Sequence, residues 1–271
     1  TATADVTAAI ESYRFDQAAN AIYEFTWNHY CDWYLELSKP TLNSETASAA
    51  AKRGTRQTLV RVLESILRLT HPIMPYITEE IWQRVAPLAA VSGETIMQQP
   101  YPIADQSLLD EAAVSEMEWV MNFILGVRSI KGEMNIPPGK PVPVLLADSN
   151  QSDRDCATRH RAYLDFLGRV ESIEVLAEGD SGPESATALV GKMKVLIPLA
   201  GLIDKAAELA RLEKEIARLQ QDIQRTEGKL SNAKFVDKAP PAVVQKERDK
   251  LADAMTALQD LSSQANKIRA L

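Results

Sequence analysis

Along residues 5 to 37 apolar and aromatic side chains recur at helical spacing (Ile22, Phe25, Tyr30, Trp33, Leu37), with a break near Arg14 and Asp16 placed to cap the next helix. The pattern predicts a short helix and then a long one that closes in the run Cys31-Asp32-Trp33-Tyr34. From Ser44 to Thr70 the stripe Leu59, Val62, Leu63, Ile66 and Leu69 predicts another helix. His71-Pro72 ends it, because the residue before a proline is driven out of the helical region. Pro75, whose missing N–H costs nothing at a first helical position, opens a shorter helix through Ile77, Ile81 and Val85 to Pro87. Residues 105 to 134 then carry Leu109, Val114, Met117, Met121, Ile124 and Val127 before Pro137-Pro138-Gly139 closes the helix. Together these elements predict a helical bundle over residues 1–138.

From Pro141 the period changes. Val142–Leu146, Ser172–Leu176, Ala186–Val190 and Met193–Leu199 are short β-rich runs, a helix over 155–168 separates the first two, and Val190-Gly191-Lys192 can turn the last two into a hairpin. This predicts a small α+β subdomain over 139–200. Beyond it Leu209, Ile216, Ile223 and Leu230 repeat every seven residues, with Leu212 and Leu219 at the other seam position. After Pro240-Pro241 comes a second series, Val244, Leu251, Leu258 and Ala265 with Ala254, Leu261 and Ile268 between. Two heptad helices joined by one proline break predict an antiparallel coiled-coil hairpin, an arm over 201–271 about 45 Å long at a rise of 1.5 Å per residue. The fold class is mainly α.

At 271 residues and 45% apolar content the chain can fill at least one sizeable core. Its net charge of -7 gives no general reason to expect a polyanion, but the charge is uneven: the arm holds 13 basic and 11 acidic residues, +2 against -9 for the rest. The two cysteines, Cys31 and Cys156, are far apart and in no metal-ligand spacing, so no disulfide framework or zinc site is expected and reduced thiols in the cytosol are the default. Apolar runs fall short of the roughly 18 residues that span a bilayer, and no signal pattern opens the chain. A start at Thr1 directly in a helical pattern is expected of a piece of a longer polypeptide.

Charge and chemistry then narrow the function. His29, His71 and His160 stand on different predicted elements with no nucleophile or ligand at useful spacing, and no Gly-rich loop follows a strand. Neither a catalytic residue nor a metal site is predicted. What remains is contact chemistry. Asn28, Asp32, Trp33, Tyr34 and Lys39 form a polar and aromatic cluster that reads either as core packing or as a platform on which unstacked RNA bases lie. Lys52, Arg53, Arg56, Arg61 and Arg68 face one acid, Glu64, and read either as a phosphate-binding ridge or as a solvated helix face. Arg128 and Lys131, three apart, are expected on one face, and Lys229, Lys234 and Lys238 cluster at the tip of the arm. The heptads alone fit an oligomerising structural protein as well as an RNA-binding arm.

The run Cys31-Asp32-Trp33-Tyr34-Leu35-Glu36-Leu37 with Lys39, then His71-Pro72-Ile73-Met74-Pro75-Tyr76-Ile77-Thr78-Glu79-Glu80-Ile81-Trp82, resembles the anticodon-binding domain of class I aminoacyl-tRNA synthetases of the valine, isoleucine and leucine group. Arg128-Ser129-Ile130-Lys131 through Asn135-Ile136-Pro137-Pro138-Gly139-Lys140 is similar to the last helix and exit of that domain. Leu199-Ala200-Gly201-Leu202-Ile203-Asp204, and Leu230-Ser231-Asn232-Ala233-Lys234-Phe235-Val236 with Ala239-Pro240 and Val243-Val244, resemble the C-terminal arm of bacterial valyl-tRNA synthetases. The resemblance covers essentially the whole chain. It implies that valine tRNA is the partner and that the anticodon reader lies around the end of the second helix, where Asn28, Asp32, Trp33, Tyr34 and Lys39 are the candidates; valine codons begin with G-U, so the bases to be read are a middle A and a last C. By their charge and placement Lys52, Arg53, Arg56, Arg128, Lys131, Lys229, Lys234 and Lys238 are the candidates for phosphate contact. The signatures His-Ile-Gly-His and Lys-Met-Ser-Lys-Ser do not occur. The resemblance therefore implies no cofactor in this chain, with ATP and Mg2+ belonging to a catalytic domain elsewhere, and no editing domain. A cytoplasmic monomer that binds and positions tRNA without catalysis is expected, with no membrane contact. The alternatives are a heptad-driven oligomer and the anticodon domain of an isoleucine or leucine synthetase.

Overall fold

The computed structural model describes residues 1–177, 179–180, 182–201, 205–232 and 240–270, by backbone alone at 205–208, 260, 264, 267 and 270. By their internal contacts they fall into two compact units, 1–122 with 156–168, and 123–155 with 169–271.

The first unit opens with α1 (Ala2–Glu11), which stops where Tyr13 takes a left-handed φ of 57°. The chain re-enters at α2 (Phe15–Glu24), widens into a π-helical stretch over Phe25–Leu35 and continues as α3 (Glu36–Asn43). The long helix is present, but Asp32, Trp33 and Tyr34 lie in its middle and do not close it. Asp16 is inside the first turn and not its cap. Arg14 flanks that turn and clamps the Asp16 carboxylate at 2.8 Å, holding its pKa down to about 2. Val6, Ala9, Ala18 and Leu69 form one core cluster here.

α4 (Ala49–Thr70) starts a turn later than the apolar stripe suggests, because Ser48 supplies the cap, its hydroxyl accepting from the Ala51 N–H at 3.1 Å. α5 (Pro75–Val85) begins at Pro75 as expected, but its buried line is Thr78, Trp82 and Ala86. Ile77 and Ile81 are 50% and 37% exposed. The reason is Trp82, whose bulk takes the core slot with Leu67, Ala86 and Ile96 while its indole N–H donates to Glu64 Oε1 at 2.9 Å. Glu64, 2% exposed, also accepts from the Arg68 guanidinium at 2.8 and 3.0 Å, and Arg68 donates onward to the Pro100 carbonyl. His71 Nδ1 lies 2.8 Å from the Thr78 hydroxyl.

α6 (Glu111–Glu133) is capped by the Asp110 carboxylate, so Leu109 precedes the helix, and it runs from the first unit into the second. Leu109 and Val114 are half exposed, whereas Ile124 and Val127 are fully buried. The helix expected over 155–168 is two, α7 (Gln151–Arg159) and α8 (Arg161–Gly168), and α8 packs on α3 in the bundle unit instead of staying with the strands.

In the second unit β1 (Val142–Ala147), β2 (Val170–Val175), β3 (Ser185–Val190) and β4 (Met193–Pro198) form one sheet in the order β2-β1-β4-β3. β1 and β2 are parallel, as the crossover through residues 148–169 requires, and the other pairs are antiparallel. The predicted hairpin is there: Val190 pairs with Met193 across Gly191, whose φ of 61° suits the first position of a two-residue turn. The arm continues the chain as α9 (Lys205–Leu230) and α10 (Pro241–Ala270). Glu213 meets Arg269 and Lys229 meets Glu247, so the helices run antiparallel within one chain. Leu212, Ala265 and Ile268 are the buried centre of the seam, with Leu209, Ile216 and Leu261 against them.

Candidate nucleic-acid interface

The aromatic cluster is organised by the π-helical stretch. Such wide turns mostly occur as single bulges, often at functional sites, so a run of 11 residues is long. Tyr30 fastens it to α4, donating its hydroxyl to the Leu59 carbonyl at 3.0 Å, and burial, with Cys31 and Tyr34 nearby, pushes that phenol up, so it stays neutral. Phe25, His29, Trp33 and Tyr34 then line a cleft of about 300 Å³, walled by Thr58 and Val62 of α4 and by Met117 and Met121 of α6. Tyr34 leans on Tyr30 at 6.4 Å and His29 on Phe25 at 6.2 Å. Trp33 and Tyr34 are half-buried, so each keeps ring surface at the cleft.

Asn28 and Asp32 are exposed and do not line the cleft, and Lys39 is held 2.5 Å from Glu36. The same helix presents a second aromatic pair: Tyr23 and Trp27 stack at 6.5 Å with ring planes 6° apart, 62% and 55% exposed. Their spacing of four is visible in the sequence and marks them as a same-face pair.

The basic ridge shortens. Arg68 is committed to Glu64, leaving Lys52, half-buried, and Arg53 and Arg56, exposed, on the first half of α4, with Arg61, also exposed, just past its middle. Cations near a helix N-terminus oppose its dipole, so this placement favours an anion and costs stability without one. Lys131 departs outright from the expected phosphate contact. Three residues apart leaves about 60° around a helix, enough that Arg128 is exposed while Lys131 is 3% exposed. Its ammonium donates to the carbonyls of Lys140 at 2.8 Å, Pro138 at 3.4 Å and Arg169 at 3.5 Å, and burial, with the charges of Arg169 and Arg128, lowers its pKa. It closes the exit of α6, where its ammonium is buried and not presented at the surface as a phosphate contact requires. Lys229 is exposed and 3.5 Å from Glu247. Lys234 and Lys238 lie outside the described residues.

Residues 1–146 match the family described as the anticodon-binding domain of tRNA ligase, more than half of the chain. The chain belongs to that family. Residues 204–269 match the valyl tRNA synthetase tRNA binding arm. This domain followed by this arm is the tRNA-binding C-terminal part of valine-tRNA ligase, and tRNA is its partner. The arm match sets aside an accidental likeness of the tail and a purely structural coiled coil. Among the described residues no helix is long and apolar enough to cross a membrane.

Proposed function

We propose that this part binds valine tRNA as a monomer in the cytoplasm, with the anticodon at the long helix of the bundle and the tRNA body along the arm. Unstacked anticodon bases lie against Trp33 and Tyr34 at the cleft, while Asn28, Asp32 and Lys39 on and beside the same helix supply edge contacts to the middle A and last C. Lys52, Arg53, Arg56 and Arg128 meet phosphates, which position the RNA without reading it. The observation that carries the reading is the half-buried aromatic cleft on an anticodon-binding domain that is followed by a valine-type arm. The intramolecular antiparallel pairing of α9 with α10 supports a monomer, since the seam is already covered by its own chain. ATP and Mg2+ act in a catalytic domain outside this chain, which by itself forms no valyl-adenylate.

Binding of the chain to transcripts of a valine tRNA and an isoleucine tRNA across a salt series tests this. Preference for the valine transcript, kept when residues 203–271 are deleted although overall affinity falls, is the expected result. Equal binding of the two transcripts, or a deletion that removes discrimination and spares affinity, overturns it.

A further inference from the structure

Two cysteines in no metal spacing give no reason to expect a ligand set, yet the first unit brings Glu116 of α6, Cys156 of α7 and His160, just beyond α7, together. Their ligand atoms all lie within 4.8 Å of one another. Cys156 and His160 are four apart and share a helical turn, the His160 N–H donating to the Cys156 carbonyl at 3.0 Å, so both side chains leave the same face. Glu116 comes from 40 residues earlier in the chain to meet them.

We propose that Glu116, Cys156 and His160 bind one zinc-class divalent ion that staples α6 to α7, with water as the fourth ligand. The spacing of the donor atoms agrees with this. Tetrahedral zinc with bonds of about 2.3 Å to sulfur and about 2.1 Å to nitrogen and oxygen needs N–O and S–O edges of about 3.4 and 3.6 Å. His160 Nε2 is 3.1 Å and Cys156 Sγ 3.9 Å from Glu116 Oε1. These two edges are within a few tenths of an ångström of the lengths that the ion requires, and the sulfur-to-nitrogen edge, under 4.8 Å, closes on binding.

His160 gives an independent sign. Its Nε2 is fully buried and makes no hydrogen bond of good geometry, its polar neighbour being Glu116 Oε1 at 3.1 Å, a carboxylate that His160 helps to hold below its usual range. Buried polar atoms are almost always satisfied, and a cation shared with the carboxylate and the nearby thiol would satisfy this one. The donor set selects the ion. A thiolate with an imidazole favours zinc over magnesium or calcium, and thiolate plus carboxylate cancel its charge. Cys156 is buried, which suits a ligand and not a nucleophile that must meet a substrate. Arg159 contacts the same Glu116 oxygen, but its side chain is 63% exposed and can swing into water as the metal enters.

Titration of the full chain with Co2+ as a spectroscopic probe, followed by displacement with Zn2+, tests the site. The expected result is one ion per chain, with tetrahedral cobalt absorption and a thiolate-to-metal charge-transfer band. Cys156→Ser should abolish the band and Cys31→Ser should leave it. Glu116→Gln, a partly exposed position that keeps the fold, should weaken Zn2+ at least roughly tenfold, since even loss of an outer-shell partner costs that much. Zinc should also raise the thermal midpoint of the wild-type chain and not that of Cys156→Ser. No saturable cobalt spectrum, a band that survives in Cys156→Ser, a band that depends on Cys31, or Glu116→Gln binding as tightly as wild type each overturns the proposal. None of these outcomes bears on tRNA binding, so the two readings fail separately.

Discussion

In the bundle unit the deepest charge is Glu64, tied to the Trp82 indole and the Arg68 guanidinium across two helices and a loop. In the arm the deepest positions are Leu212, Ala265 and Ile268 of a mostly apolar seam in which Thr226 is the buried polar member, and exposed pairs such as Glu213 with Arg269 stand outside it. A buried carboxylate with fixed partners admits one arrangement of its neighbours, because every alternative leaves a charge or an N–H unsatisfied in the core. A heptad seam is uniform and admits a rod of set length but little shape. The bundle therefore suits a site that must present rings and edges in one geometry, and the arm suits contact spread along an RNA backbone.

The first way to break this contrast is Glu64→Ala. It leaves the Trp82 N–H and a largely buried Arg68 without their acceptor, and should cost about 3 kcal/mol, the low end for a broken buried pair because Arg68 keeps some solvent. All four tryptophans lie at or before Trp119, so fluorescence reports on the bundle while the arm contributes only to the helical signal. The fluorescence midpoint in urea should drop and the arm's helical transition should stay. A cost under about 1 kcal/mol, the worth of a surface pair, would mean that the bundle is held as loosely as the arm.

Trp33→Ala sharpens the contrast on the functional side. A stacked base is worth roughly 1 to 3 kcal/mol, or about 5- to 150-fold in affinity. The loss should appear with an intact valine anticodon and shrink when its middle A is changed. Equal losses with both RNAs would assign Trp33 to packing of the cleft alone.

A smaller, uniform effect belongs to the ridge. Arg53→Ala or Arg56→Ala should each flatten the salt slope of tRNA binding by about 0.7 to 0.9, roughly fivefold in affinity at 0.15 M salt, whatever the anticodon. Binding measured from about 0.05 to 0.3 M salt, a range in which the wild-type slope is steep, decides it. An unchanged slope makes the ridge a solvated helix face.

The two regions also differ in how far their sequence can be read, for the same physical reason. The arm's seam is local and periodic, so spacing alone places Leu212, Val244, Ala265 and Ile268 in it, and all four are buried. The strands and the Gly191 turn are equally local. In the bundle the decisive contacts join distant residues. Glu64 meets Trp82 across 18 positions and Glu116 meets Cys156 across 40, and no period announces either. Choosing Trp82 for the core displaces Ile77 and Ile81, which a stripe of isoleucines would place there. The π-helical stretch carries no signal in composition, and it moves Trp33 and Tyr34 from the end of a helix to the wall of a cleft. Lys131 escapes sequence reasoning because charge says nothing of depth, and carbonyls from two segments, the loop after α6 and Arg169, converge on it.

The smallest expected effect tests the arm's half of the contrast. Glu213 and Arg269 are 3.0 Å apart, with side chains 59% and 52% exposed, so water and salt screen most of their attraction and two long side chains lose freedom to hold it. A double-mutant cycle with Glu213→Ala and Arg269→Ala, read on the helical signal, should give a coupling of about 0.2 to 0.5 kcal/mol that fades in high salt. The pair still has a use. Glu213 with Arg269 and Lys229 with Glu247 are consistent with one antiparallel register, and a like charge in either position opposes a slip. Glu213→Lys should therefore lower stability by a similar few tenths, and adding Arg269→Glu should restore it by reversing both signs. A coupling above about 2 kcal/mol, well beyond the worth of an exposed pair, or a reversed pair that fails to restore, would show that the arm depends on placed polar bonds as the bundle does, and the distinction between a shaped reader and a uniform rod would not hold.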